Sequence, residues 1–368
     1  MKVRTQLKNV ASFSKGSQIN GDELIENGQY DYLNGGINPS GKWNKCNVSA
    51  NTVTISEGGH SCGYVNYMDK PFWCGAHCYY LYDASVDSRY LYYNLKSQQS
   101  RLMAIRSGAC MPNIKKSALG SFEFYIESSQ AIQKRTVEIM QKCERIIYDR
   151  QQELKKLDEL IKARFVEMFG DDNNPMNWPV VNVEDVADVQ VGVVIKPAQY
   201  YTNAEDGVKT FRSLNIGQMH IKDNDWVYFS HEGNEKNSKS VLKENDLLIV
   251  RSGAPGTACV VERKYVGCNA VDIIIARPDV RKVNPFYLCA YTNFPHGKKQ
   301  IDEGTGGAAQ QHFNVGKYNK LRLMLPPIEK QNEFYSFLKN VDKSKVAVQK
   351  ALDEAQLLFD SLMQQYFG

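Results

Sequence analysis

Three short stretches carry residue types that could do chemistry, and each fails on spacing or surroundings. Gly36 to Lys42 (GINPSGK) has the spacing of a phosphate-binding loop, but Trp43 stands where Ser or Thr must reach a metal ion, and no helical pattern follows. Asn284-Pro285-Phe286-Tyr287 approaches the Asn-Pro-Pro-aromatic motif of amino-methyltransferases. Its second proline is missing and no glycine-rich strand-turn precedes it, so it reads as a turn leading into a helix. His60, Cys62, Cys74, His77 and Cys78 could ligate zinc. They contain no C-x-x-C pair, and the rest of the chain offers no equivalent set, which favours thiols buried in a core. Neither a carboxylate–lysine cluster nor a nucleophile with a base beside it can be assembled, so the residues point away from catalysis by this chain.

What the sequence does offer is positive charge beside aromatic and amide side chains. Arg89 to Lys116 holds Arg89, Lys96, Arg101, Arg106, Lys115 and Lys116 with no acidic residue, interleaved with Tyr90, Tyr92, Tyr93, Gln98 and Gln99. The matching part of the second half holds Arg281, Lys282, Lys298, Lys299, Lys317 and Lys320, and Gln310-Gln311 can offer paired donors and acceptors to base edges. One such run is usually a solvated face; its recurrence in both halves favours a nucleic-acid partner. The candidate contacts are Lys96, Arg101, Arg106 and Lys115 in the first run and Lys298, Lys299, Gln310, Gln311 and Lys317 in the second. Lys42, Lys45, His60, Arg212 and Arg251 complete the set.

The elements that must position these residues are two long helices and what hangs between them. No Gly or Pro interrupts Ile132 to Phe169, where Met140, Cys143, Ile147, Arg150, Leu154, Leu157, Ile161, Arg164 and Met168 follow steps of three and four. The register recurs 198 positions later, from Met140 with Leu338 to Phe169 with Phe367, and Val348, Leu352, Ala355 and Phe359 continue that seam. A helix of about 38 residues at roughly 1.5 Å per residue spans about 57 Å, more than one small core can cover. Its apolar stripe packs most economically on its twin, as an intrachain antiparallel coiled coil.

Between the helices the chain duplicates as well. Leu7 to Gly16 (LKNVASFSKG) lies over Val183 to Gly192 (VEDVADVQVG) at an offset of 176, and Pro112 to Ile126 over Gln311 to Leu325 at 199, implying an insertion of about 23 residues. Strand-like runs at Val53–Ile55, Phe72–Trp73, Tyr79–Tyr82, Phe122–Ile126, Leu247–Val250 and Ile273–Ala276 sit among Gly- and Asn-rich turns. The reading is a mixed α+β chain with an approximate two-fold repeat. Residues 1–127 and 171–326 form sheet-rich recognition domains, and residues 128–170 and 327–368 form the helices. The flanks keep their pattern while the middles diverge, as expected of two modules with different specificities.

At 368 residues, with 42% hydrophobic residues, each module can bury its own core. Nine cysteines without regular spacing point to reduced thiols, and no apolar run approaches the ~18 residues of a membrane span. The stretch Met1 to Phe13 lacks the apolar core of a secretion signal, so a cytoplasmic protein with no membrane contact is expected. A net charge of +4 is weakly basic, and a polyanionic partner must be argued from local charge.

The order of domain, long helix, variant domain and long helix resembles the specificity (S) subunit of type I restriction-modification systems over the whole chain. The carrying residues are the duplicated starts LKNVASFSKG and VEDVADVQVG, the segments Val53 to Gly63 and Leu247 to Gly256, Glu303-Gly304-Thr305-Gly306-Gly307 ahead of Gln311-His312-Phe313, and Leu325 to Gln331 (LPPIEKQ) opening the second helix. The first helix departs there, since Ile126-Glu127-Ser128-Ser129-Gln130 has no proline. The resemblance implies a DNA-reading subunit without an active site of its own, whose two domains each read one part of a split double-stranded target. It implies two methyltransferase (M) subunits using S-adenosylmethionine, and restriction/translocase (R) subunits using ATP and Mg, with none of these cofactors held by this chain. Two other readings remain at this point: a coiled-coil adaptor whose domains bind peptides, and a degenerate DNA methyltransferase.

Overall fold

The computed structural model describes residues 1–108, 112–171, 173–305 and 313–368. They fold as two compact units, Met1–Gln152 with Val348–Gly368, and Glu153–Ala347.

The first unit begins with eight strands: β1 (Lys2–Gln6), β2 (Ser12–Lys15), β3 (Tyr30–Leu33), β4 (Gly41–Trp43), β5 (Thr52–Ser56), β6 (Val65–Met68), β7 (Phe72–Cys74) and β8 (Cys78–Tyr82). Helices α1 (Ser88–Ser97), α2 (Gln99–Ala104) and α3 (Lys116–Gly120) follow, then β9 (Glu123–Glu127) and the long α4 (Gln130–Phe169). The strands make an antiparallel sheet ordered β2-β8-β5-β6, a three-stranded sheet β4-β3-β7 whose β3 and β7 run parallel, and the ribbon β1-β9. Asp87 caps α1 by accepting from the Tyr90 amide at 2.8 Å, and α1 lies against β5 and β6.

The second unit repeats this order. It contains β10 (Val180–Asn182), β11 (Ala187–Val191), β12 (Tyr201–Thr202), β13 (Gly207–Phe211) and β14 (Val227–Ser230), then α5 (His231–Lys236), β15 (Leu247–Val250), β16 (Ala258–Val260), β17 (Asn269–Ala270) and β18 (Ile273–Pro278). Helices α6 (Pro285–Asn293), α7 (Pro295–Thr305) and α8 (Val315–Asn319) precede β19 (Arg322–Met324) and the long α9 (Ile328–Phe367). Its sheets are β11-β18-β15-β16, which uses its strands in the same sequence as β2-β8-β5-β6, then β12-β14-β13-β17, which matches β4-β3-β7 with β12 added at one edge, and the ribbon β10-β19. Leu247 and Ile249 enter one core while Leu248 and Val250 enter another, which is why this strand reads as an unbroken apolar run. Most of the insertion lies between β13 and β15, where residues 212–246 carry α5 and replace the shorter 34–51 of the first unit.

Each unit contains one end of both long helices, and each helix finishes inside a module. In the first unit, Val137 and Met140 of α4 share a core with Phe359, Leu362 and Phe367 of α9. Phe367 stacks 5.3 Å from Tyr90, and Gln98 donates to the Phe367 carbonyl at 3.0 Å. In the second unit Ile161, Phe165 and Phe169 pack with Phe334, Leu338 and Val341, Phe169 lies 4.8 Å from Tyr287, and Trp178 donates to the Phe169 carbonyl at 3.1 Å. The repeated Phe-Gly is therefore a plug and a capped last turn. Asp158 meets Lys345 at 2.7 Å, and Arg164, farther along α4, meets Glu333, farther back on α9, so the pair runs antiparallel there. Of the seam residues, Ile161 and Val348 are buried; Ile147, Leu154, Leu157, Leu352, Ala355 and Phe359 are half-buried.

The two helices start differently in sequence but alike in structure. Gln133 is buried and donates to the Glu127 carbonyl at 2.6 Å; Gln331, buried at the equivalent place, donates to the Pro326 carbonyl at 2.8 Å and accepts from the Asn284 amide. A glutamine folded back on the preceding strand does in the first unit what it does beside the prolines in the second.

Phe165 is the centre of the second unit's aromatic cluster, within 5.5 Å of Phe169, Tyr287, Phe294 and Phe334. Phe165→Ala should lower unfolding free energy by about 3–5 kcal/mol in denaturant titration. A loss under about 1 kcal/mol would show that this cluster does not hold helix to module.

Candidate nucleic-acid interface

Backbone pairing brings three loops of the first unit to one end of its four-stranded sheet. Glu57, just past β5, accepts through its carbonyl from Ile114 N at 2.9 Å and donates its own N–H to the His77 carbonyl at 2.9 Å. Gly59 N donates to Pro112 O and Ser107 N to Asn113 O, which laces residues 57–63, 105–108 and 112–115 together. His60, Arg106 and Lys115, all exposed, sit on these loops. The Glu57 carboxylate accepts from Lys15 and faces His77 at 3.7 Å. Burial, with the Glu57 charge adding to it, pushes the Tyr79 hydroxyl up to about 12, and this hydroxyl donates to Ile114 O.

The second unit builds the same rim with other side chains at the same places. Ser56 stands opposite Cys78 and Val250 opposite Ile273, so Glu57 and His77 correspond to Arg251 and Asp272. Arg251 accepts at its carbonyl from Phe313 N at 3.1 Å, returns a bond from Nε to the Phe313 carbonyl, and pairs with Asp272. A carboxylate in one module and a guanidinium in the other thus make one cross-strand tie. Gly16 and Gly192 close both rims: a Cβ there would come within 1.8 Å of Cys74 O and 2.3 Å of Ala270 O, so the repeated glycine reflects a backbone approach that no side chain permits.

Several candidate cations are already engaged. Lys96 sits 3.6 Å over the Tyr64 ring and donates to Val65 O; Arg101 donates to Gln98 and to Glu123 O. Arg212, half-buried, donates to Asp225 O, and Lys317 donates to Gly304 O. Lys298 donates to Pro255 O at 2.8 Å and pairs with Asp302, tying α7 to the loop after β15. Lys299 is exposed beside Arg322 on the wall of a cavity of about 540 Å³. Lys42 and Lys45 are exposed on and just after β4, on the three-stranded sheet. Gln310 and Gln311 lie outside the described residues.

Neither the rim nor the rest of the described fold gathers a catalytic set. Hydrogen bonding with Cys78 and burial raise the Cys74 thiol, and burial raises Cys62 against the nearby Arg106 charge, so both remain thiols packed in the core. Among the described residues no three His, Cys, Asp or Glu side chains converge as a metal site requires, and no helix is long and apolar enough to cross a membrane. Asn284 caps α6 by accepting from the Phe286 and Tyr287 amides, so the Asn-Pro-Phe-Tyr stretch is a helix start. The arrangement can present charge and hydrogen-bond donors on a rigid edge.

A family profile described as the type I restriction modification DNA specificity domain matches residues 2–158 and again 175–355. The chain is 34% identical over 131 residues to a protein described as a type I specificity subunit of Mycoplasma genitalium, a match covering 35% of this chain and 34% of that protein. A Mycoplasma pneumoniae counterpart is 38% identical over 120 residues, or 32% of each chain. The chain thus spans about a third of the length of these two curated relatives. It is 22% identical to the MjaVIII specificity subunit of Methanocaldococcus jannaschii over 72% of this chain and 68% of that protein. Over its full length it superposes on the crystal structure of a type I restriction-modification S subunit from M. genitalium with a TM-score of 0.65 at 19% identity, covering 96% of that chain. A chain from a study of type I restriction-modification complex assembly gives 0.61 at 14% identity, covering 97% of that chain. At such identities the likeness is one of fold.

Proposed function

The chain belongs to the type I restriction modification DNA specificity family, and from that premise we propose that it reads a split double-stranded DNA target, one part with each unit. The observation that carries this reading is the repeated rim: one backbone framework, fixed on the same long helices, with different side chains in each copy. Shared framework suits the shared task of gripping a duplex, and unlike side chains suit two unlike sequences. The chain acts without catalysis of its own. Two methyltransferase subunits dock on it and bring S-adenosylmethionine; restriction and translocase subunits bring ATP and Mg. No residue here is assigned to any of those cofactors.

The test is filter retention of duplex DNA by the chain assembled with its methyltransferase partners, followed by sequencing of methylated sites. A two-part motif is expected; retention without sequence preference would overturn the reading, and tight S-adenosylmethionine binding by the chain alone would favour an enzyme. Arg106 and Lys115 lie on the laced loops, exposed, with no ion pair among the described residues. Replacing both with Ala should lower affinity across all sequences and flatten the salt slope by up to about two. A changed motif would assign them to base reading instead.

A further inference from the structure

The two rims differ where the chain leaves β2 in the first unit and β11 in the second. Ser17 N donates to Cys74 O and Gly75 N to Leu33 O in the first unit, as Val193 N donates to Ala270 O and Val271 N to Phe211 O in the second. Gln18, Ile19 and Asn34 therefore correspond to Val194, Ile195 and Arg212. In the first unit Asn34 donates to the Gln18 side chain at 3.1 Å, accepts from the His77 amide, and Ile19 is buried with its N–H on the Tyr32 hydroxyl. In the second unit Ile195 is 80% exposed and Val194 48%, with Leu214 exposed nearby in sequence to Arg212. The tip is not loose. Asp272 N donates to Val193 O, which ties it to the Arg251–Asp272 pair, and Lys196 next to it has a left-handed backbone (φ 44°) ahead of Pro197.

We propose that Ile195 contacts the C5-methyl group of a thymine in the half-site read by the second unit. This inference rests on the DNA-reading function proposed above. A β-branched side chain held in water by a fixed backbone gains by meeting an apolar surface, and in unmodified DNA the thymine methyl is the one methyl group that base edges present in the major groove. Lys196, exposed and next in the chain to Ile195, brings positive charge suited to a nearby phosphate. Arg212 donates to the Asp225 carbonyl, while its buried Nε has no hydrogen-bond partner among the described residues. The first unit, which has an amide pair at this place and a buried Ile19, is the internal control.

The experiment uses the chain with its methyltransferase partners on its methylated motif, with each thymine of each half-site replaced in turn by uracil, which lacks only the methyl group. In the half-site that survives exchange of the first module, one such change should lower wild-type affinity about fourfold, the worth of burying one methyl. The Ile195→Ala assembly should bind both DNAs alike, while Ile195→Val keeps part of the difference; both changes are on the surface and spare the cores. A second half-site without thymine, no sensitive position, or undiminished sensitivity in Ile195→Ala would overturn the proposal while sequence-selective binding keeps the DNA-reading function standing. Binding without sequence preference would overturn both.

Discussion

Seven residues inserted into each long helix, between Gln152 and Glu153 and between Ala347 and Val348, should move the preferred target to a longer spacer and cost on the order of a hundredfold in affinity for the original spacing. These points are where each helix passes from one unit to the other, so neither core is cut. A heptad preserves the seam of half-buried positions that includes Leu154, Leu352 and Ala355, and lengthens each helix by about 10 Å. That length corresponds to roughly three base pairs at about 3.4 Å, and three pairs turn the groove by about 100°. The lengthened protein must then meet its second half-site on another face of the duplex, or lose it. Binding across a spacer-length series measures the effect; unchanged affinity at the original spacing would mean the helices do not set the distance.

Exchange of residues 1–127 for the first module of another family member should change one part of the methylated motif and leave the other intact. The boundary of the unit adds a condition. Tyr90, Tyr93 and Gln98 receive Phe367 from the end of α9, so a donor module lacking aromatic residues at the two tyrosine positions should assemble poorly whatever it reads. Methylome sequencing of cells carrying the hybrid decides between the outcomes, and a change in both parts of the motif would refute independent reading.

Much of this architecture was legible because it rests on local rules. Forty residues without Gly or Pro and with a repeat of three and four can hardly be anything but a long helix, and the apolar runs at Leu247–Val250 and Ile273–Ala276 are strands for the same kind of reason. The rims were not legible. Glu57 with His77 and Arg251 with Asp272 do one job with unlike side chains, so a search for shared residue types passes over them. Runs of cations could be found, but not whether each was engaged: Lys96 on Tyr64 and Lys298 on Pro255 O are tied by contacts distant in sequence. Gln133 and Gln331 look like ordinary polar residues on exposed helices until burial shows them holding the helix starts. Gly16 and Gly192 were visible as a repeat, whereas their reason lies across the fold in Cys74 and Ala270.

The division of the chain also fixes an order of completion during synthesis. The second unit is one continuous stretch, 153–347, and has every residue of its core once that stretch has been made. The first unit needs residues 348–368 as well, with Phe367 seated against Tyr90 and Tyr93. On the ribosome the earlier-made module must therefore wait, its pocket for Phe367 open, until the later one has its whole sequence. The closing contact joins residues as far apart as Gln98 and Phe367, 269 positions, the kind of long loop closure that slows folding. Whatever guards the nascent protein from aggregation must guard that pocket longest.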